Sequence, residues 1–209
     1  MQHTAQTEGF GIRLRPVRLE DAAFIVWARN LEHVKGRIGD SAATKEAQES
    51  WLRAYFQRPG DYYFIVETIG GIPVGTYGVY NIKGTSGESG RWVIRQDVLA
   101  AIPSAILAID LDFGSLGLTE LRVTTVATNR PVLSLNRKFG FREIRIDKDA
   151  QTIGGQPVDL VHFLLEAKDW PPIREKLLPF AEVAALQIAE WQRGQSSVSN
   201  PQTYGTKPV

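Results

Sequence analysis

The segment Asn129 to Phe141, NRPVLSLNRKFGF, constrains the fold more than any other part of this 209-residue chain. It follows Leu121-Arg-Val-Thr-Thr-Val126, a run of strand-forming residues. Pro131 suits the first turn of a helix, where its missing N–H costs nothing. Val132, Leu135 and Phe139 recur at three- and four-residue spacing, which predicts a helix over 131–139 with one apolar face. Gly140 supplies the left-handed residue that ends it, and Phe141 can fold back on the last turn. The order is therefore strand, Asn, short helix, Gly-Phe, second strand at 142–146.

The flanking pattern is consistent with an α/β domain. Residues 1–9 are polar and read as frayed, and Ile12 to Val17 alternates as a first strand. Leu19 to Arg29 begins an amphipathic helix with Phe24, Trp27 and Leu31 inward, and Lys45 to Phe56 a second that buries Trp51, Leu52 and Tyr55. Tyr62–Glu67 and Val74–Tyr80, separated by Gly70-Gly71, read as a hairpin. Gly84 to Gly90 reads as a flexible connection before a strand at Arg91–Ile94. A helix from Pro103 to Leu116 follows, and a late strand covers Val158–Leu165. Trp170-Pro-Pro172 marks a boundary before a long helix, Ile173 to Arg193. Its stripe of Ile173, Leu177, Phe180/Ala181, Ala184, Ile188 and Trp191 must be covered by the parent domain or by a second subunit. Residues 194–209 have linker composition.

This order and the segment NRPVLSLNRKFGF resemble the acyl-CoA-binding half of the GNAT N-acetyltransferases, whose signature reads roughly N-x-x-x-x-x-L-(Y)-x-K-x-G-F. RLRPVRLEDAAFIVWARN resembles the opening of many such sequences. The resemblance covers about residues 12–166 and implies a mixed central sheet with two splayed parallel strands, flanked by helices, plus a C-terminal helical extension. It also implies acetyl-CoA as cosubstrate. Pantetheine would lie between the strands, and pyrophosphate on the N-terminus of the helix after the first of them, where free N–H groups and the helix dipole favour an anion. The family's glycine-rich loop is replaced here by Arg95-Gln-Asp-Val-Leu-Ala-Ala-Ile-Pro-Ser-Ala105. Ala100 and Ala101 are the next smallest choice, Ser104 can donate to a phosphate and Arg95 can pair with one. The loop either still binds CoA or has lost it. Asn129 is expected either to bond the cofactor arm or to act as a plain helix cap.

N-acetyl transfer needs a free amine, and deprotonating an ammonium of pKa near 10 costs roughly 4 kcal/mol at pH 7. A general base supplies that step. Candidates are Glu88, Tyr77, Tyr80 and His162; Glu88 could equally be solvated and His162 a core residue. The oxyanion would meet a backbone N–H near Trp92, Val93 and Ile94. The tyrosine that protonates the thiolate in the family is Asn136 here, which can donate a hydrogen bond but is no acid. Asp40 and Tyr77 are candidates to hold the acceptor, with a capping turn the other reading of the Asp40 loop. LRPVRLEDAAFIVWARN and VGTYGVYNI look most like enzymes acetylating amino-sugar nucleotides or protein N-termini, including the ribosomal-protein type.

Lys plus Arg number 24 against 23 for Asp plus Glu, a net charge of +1. That balance gives no case for nucleic acid or an anionic membrane as partner. Cysteine is absent and the three histidines are scattered, so no metal site is expected. No apolar run approaches the roughly 20 residues of a membrane span, and no signal peptide is evident, so a cytoplasmic location is expected. A homodimer is compatible with the long stripe. The readings in competition are an N-acetyltransferase acting on a small-molecule amine or a protein N-terminus, with the active site wholly within residues 12–166, and a weak or inactive acyl-CoA-binding domain.

Overall fold

Phe10 and Gly11 both take left-handed backbone angles (φ 50° and 79°). Strand β1 (Thr7–Gly9) therefore turns back antiparallel on β2 (Ile12–Pro16), and residues 7–9 are paired instead of frayed. The computed structural model describes residues 3–35 and 44–197. After a 3-10 turn at Leu19–Asp21, α1 (Ala22–Arg29) buries Phe24 and Ile25, while Trp27 and Leu31 are only half-buried. Asp40 lies outside the described residues. The Thr44 side chain accepts the Ala47 N–H at 3.2 Å and so starts α2 (Lys45–Tyr55), which buries Leu52 and Tyr55.

Strands β3 (Tyr62–Thr68), β4 (Pro73–Lys83) and β5 (Ser86–Ile94) form an antiparallel meander. The stretch expected as a flexible connection is thus mostly strand: Gly84 (φ 59°) and Thr85 alone separate β4 from β5. Pairing on both sides overrides the low strand propensity of Gly and Ser. Gly90 also permits a close approach, since a Cβ there would stand 2.5 Å from the Tyr80 hydroxyl.

The chain continues through α3 (Ala101–Phe113), β6 (Glu120–Val126), α4 (Arg130–Lys138), β7 (Arg142–Ile153), β8 (Gln156–Glu166) and α5 (Trp170–Ser197). Helix α4 ends as its sequence predicts: Gly140 has φ 82°, its N–H reaches Arg137 O, and Phe141 N–H reaches Asn136 O at 3.0 Å. The eight strands make one sheet in the order β1-β2-β3-β4-β5-β6-β8-β7. Among the described residues, β5–β6 is its parallel pair and the other neighbours are antiparallel.

Helix α3 is buried on nearly every side because the sheet covers one face and α5 another. Leu177, Ala181, Ala184 and Ile188 of α5 are buried, so its stripe packs on the parent domain, while Phe180, expected inward, is 61% exposed. Trp170-Pro171-Pro172 opens α5 instead of preceding it, since proline is tolerated in a first helical turn. The Trp170 indole N–H and Arg174 both donate to the Asp110 carboxylate of α3, at 2.7 and 2.8 Å. Gly194 to Ser197 continue the helix, and residues 198–209 lie outside the described range. Among the described residues, no helix is long and apolar enough to cross a membrane.

Candidate active site

Strands β5 and β6 pair at Ser86–Glu120, Gly87–Leu121 and Glu88–Arg122, and then part. Beyond that point their facing backbone groups have no partner strand, and buried polar groups of this kind require one. The gap is a cleft of ≈ 610 Å³. Glu88 to Val93 form one wall and Val123 to Val126 the other; Asn129, Val132, Asn136 and Phe139 close it, with Gln48, Trp51 and Tyr63 on the α2 side. A bulge shapes the β5 wall: Thr76 pairs with Val93 and Gly78 with Gly90, so Arg91 and Trp92 together oppose Tyr77. Arg91 takes φ 51°, and its carbonyl accepts the Thr76 hydroxyl at 2.6 Å.

The bulge turns the Arg91 guanidinium toward α2. It donates to both Asp61 oxygens, at 2.5 and 3.0 Å, and lies 4.4 Å from the Tyr80 ring centre and 5.2 Å from that of Trp51. Burial opposes its charge, but the Asp61 hydrogen bonds and charge outweigh that and raise its pKa. The Tyr80 hydroxyl faces Glu88 at 3.5 Å, and Asn81 Nδ2 donates to Glu88 at 2.9 Å. Burial first, then the Glu88 charge, pushes Tyr80 up to about 12, so the phenol stays protonated. Glu88 is therefore held on a strand, at the point where β5 and β6 separate.

On the α4 side, Asn136 is 6% exposed and Nδ2 donates to Thr125 Oγ1 at 3.1 Å. An amide nitrogen carries two protons, so one remains for a second acceptor. Asn129 precedes α4 and is buried against the cleft, yet its side chain makes no capping hydrogen bond. Glu88, Tyr80, Trp92, Val93, Asn129 and Asn136 thus share one cleft.

Other expected residues are engaged by other contacts. Tyr77 also lines the cleft, and its buried hydroxyl donates to Asp112 of α3. Strand alternation separates it from Tyr80. Ser104 is fully buried, accepting from Trp92 Nε1 at 3.1 Å and donating to Ala101 O at 3.0 Å, so its hydroxyl is not turned out of the helix end. Arg95 forms two bonds to Asp97, of 2.9 and 2.6 Å, and lies between two tryptophan rings. The Ile94 carbonyl faces His33 Nε2 at 3.1 Å, Ala100 is fully buried, and Ala101 opens α3. His162 is no core residue: it bridges Thr124 and Asp147, each at 3.1 Å.

Arg91, Trp51, Tyr63 and Thr125 line the cleft without having been singled out from sequence. Helical periodicity marks Trp51 as core, and a bulge leaves no compositional trace, so Arg91 carries no signal. Tyr63 could have been suspected from its alternation with Tyr62 at the start of a strand.

A family model described as an acetyltransferase (GNAT) domain matches residues 12–142. No curated protein sequence matches the chain. Among solved structures, a GCN5-related N-acetyltransferase from Brucella melitensis superposes with a TM-score of 0.72 at 20% identity, covering 86% of each chain. Spermidine N-acetyltransferase from Vibrio cholerae, in complex with CoA and spermine, gives 0.71 at 18% identity, covering 78% of this chain and 99% of that one. FdhC, a nucleotide-linked sugar GNAT, gives 0.68 at 23% identity, covering 86% and 98%. With the splayed strands, the Asn-led helix and more than half the sequence matched by the family model, the chain belongs to the GNAT acetyltransferase family.

Proposed function

We propose that the protein moves an acetyl group from acetyl-CoA, the cosubstrate of its family, to a primary amine. The acceptor is a small molecule, amino-sugar nucleotides included, or a protein N-terminus, and the amine attacks the thioester directly. The observation that carries this reading is the parting of β5 and β6 after Glu88 and Arg122, over a cleft that gathers Glu88, Asn129 and Asn136.

Each residue then has a role in its position. Unpaired N–H groups of the bulged β5 edge, near Trp92 to Ile94, stabilise the oxyanion. Asn129 bonds the cofactor arm, and the α3 N-terminus beside Ala100 and Ala101 receives the pyrophosphate. Glu88 accepts the ammonium proton, directly or through water, and Tyr80 and Asn81 fix its orientation. The spare Asn136 amide proton is donated to the departing thiolate. A CoA thiol has a cysteine-like pKa of about 8.5, so it leaves without a strong acid. On the acceptor side, Glu88 is the carboxylate among the described lining residues, beside Arg29 and Arg91. That lining suits an acceptor with one ammonium group better than the spermine of the Vibrio relative.

The test is melting temperature with acetyl-CoA, followed by thiol release against an amine panel. A ligand at a hundred times its Kd adds about 2.7 kcal/mol, which moves Tm about 5–10 °C in a domain of this size. Stabilisation with release supports the enzyme. Stabilisation without release across a broad panel would leave an acyl-CoA-binding domain, and no stabilisation sinks both.

A further inference from the structure

The segment between β5 and α3, Arg95 to Ala100, carries the cofactor loop of the reading above and contains no glycine. Something other than glycine must hold it in shape. Arg95 is the key to how. Its backbone N–H is fixed to Val74 O at 2.9 Å, and its side chain is only 10% exposed. The guanidinium carbon lies 5.1 Å from the Trp27 ring centre on α1 and 5.1 Å from that of Trp191 on α5. Its edge grips both oxygens of Asp97, and those bonds hold the Asp97 carboxyl below its ordinary pKa. Val98 and Ala100, three and five residues after Arg95, are buried in the cluster that includes Ile188, one helical turn before Trp191. One turn of α5 therefore meets the loop at Arg95 and shares a core cluster with Val98 and Ala100.

We infer that Trp191 is a positioning residue for acetyl-CoA: α5 clamps the glycine-free loop through Arg95 and Asp97, and so sets where the α3 N-terminus presents its N–H groups. The helix lies outside residues 12–142, the part matched to the family. The same contacts explain why Arg95 does not face the cleft. A guanidinium held between two aromatic faces and a carboxylate serves the loop's shape, not a phosphate. The aromatic face on Arg95 is lost when Trp191 is removed, and phenylalanine keeps one there.

This inference rests on acetyl-CoA binding at the α3 end, and the experiment separates the two. Kd for acetyl-CoA is measured by calorimetry, with KM and kcat from thiol release, on the full chain and on Trp191→Ala, Trp191→Phe and Leu186→Ala. Leu186 is 74% exposed on the same helix and serves as control. Trp191→Ala should raise Kd and KM about tenfold, ~1.4 kcal/mol, with kcat within about twofold. Trp191→Phe should recover most of that, and Leu186→Ala should match the wild type. A folded Trp191→Ala variant with wild-type Kd overturns the clamp while leaving the proposed function intact; failure of the wild type to bind overturns the proposed function itself. If Trp191→Ala does not fold, Arg95→Lys decides. It keeps the charge but loses the flat stack and the two-pronged grip on Asp97, so a several-fold rise in Kd supports the clamp and an unchanged Kd refutes it.

Discussion

Glu88 and Asn136 stand on different walls of the cleft, and their replacement should read out differently. Glu88 lies where the two strands part, oriented by Tyr80 and Asn81. Glu88→Gln keeps the shape and removes the proton acceptor, so kcat should fall 10²- to 10⁴-fold, the range for a positioned general base, with Kd for acetyl-CoA little changed. Asn136→Ala removes one hydrogen bond to a leaving group that departs readily, and should cost about tenfold or less. Steady-state rates with one good acceptor check both, and a larger loss at Asn136 than at Glu88 would reverse the assignment. The two residues also differ in how far sequence reached them. Asn136 sits in a helix whose start and stop are local signals, Pro131 and Gly140. Its burial was not evident: Phe139 is buried as its spacing implies, but Leu133 and Asn136 are buried where Val132 and Leu135, expected inward, are half-buried. Asn136 donates to Thr125 of the preceding strand, and periodicity contains no information about that contact. Glu88 looked like part of a loop because Gly84 to Gly90 is poor in strand formers.

Between elements, the contact with the clearest consequence joins β4 to α3: Tyr77 donates to Asp112, and both are buried. The second Asp112 oxygen is buried without a hydrogen-bond partner, the arrangement expected of a neutral acid. Burial pushes Asp112 from 3.8 up to about 8, and burial likewise raises Tyr77 well above its ordinary value. Between about pH 4 and pH 8 the folded protein therefore holds a proton that the unfolded chain has released. Its contribution to stability is complete below about pH 4 and is lost as pH rises toward 8. Asp112→Asn is neutral throughout and should lack that slope. Melting curves from pH 5 to 8.5 should converge or cross at the alkaline end, the variant gaining relative to wild type by at least the 2–4 °C that ~1 kcal/mol represents at this size. Parallel curves would mean that Asp112 is ionised in the folded state. This tie was illegible in sequence, since Tyr77 and Asp112 are 35 positions apart and Tyr77 matched another role. Elements announced by local periodicity, α2, α4 and α5, were legible to within a few residues. β5, the long β7 and the β1–β2 hairpin depended on pairing across the sheet, which a local window does not contain.

At the scale of the whole molecule, the sheet divides the work between its faces. Helices α3, α4 and α5 pack the face that holds the cofactor loop, whereas Arg29, Gln48, Trp51, Tyr80 and Arg91 border the cleft toward α1 and α2. The chain's near-neutral charge gives no electrostatic case for nucleic acid, but composition cannot say how charge is distributed around one cleft. Among the described lining residues the acceptor side carries two arginines and one carboxylate, and that carboxylate is assigned to the proton. Arg91 is neutralised by Asp61 at bonding distance, so it walls the site without attracting an anion strongly. With Glu88 assigned to the proton, a second ammonium on the acceptor meets no further carboxylate among the described lining residues, and taking an unpaired charge out of water is costly. Amines bearing several positive charges should therefore show kcat/KM at least tenfold below that of a matched amine with one ionisable nitrogen. An acceptor series of equal length and increasing charge makes the comparison. A rate that climbs with acceptor charge would require carboxylates facing the site beyond Glu88, and would overturn this reading of the acceptor side.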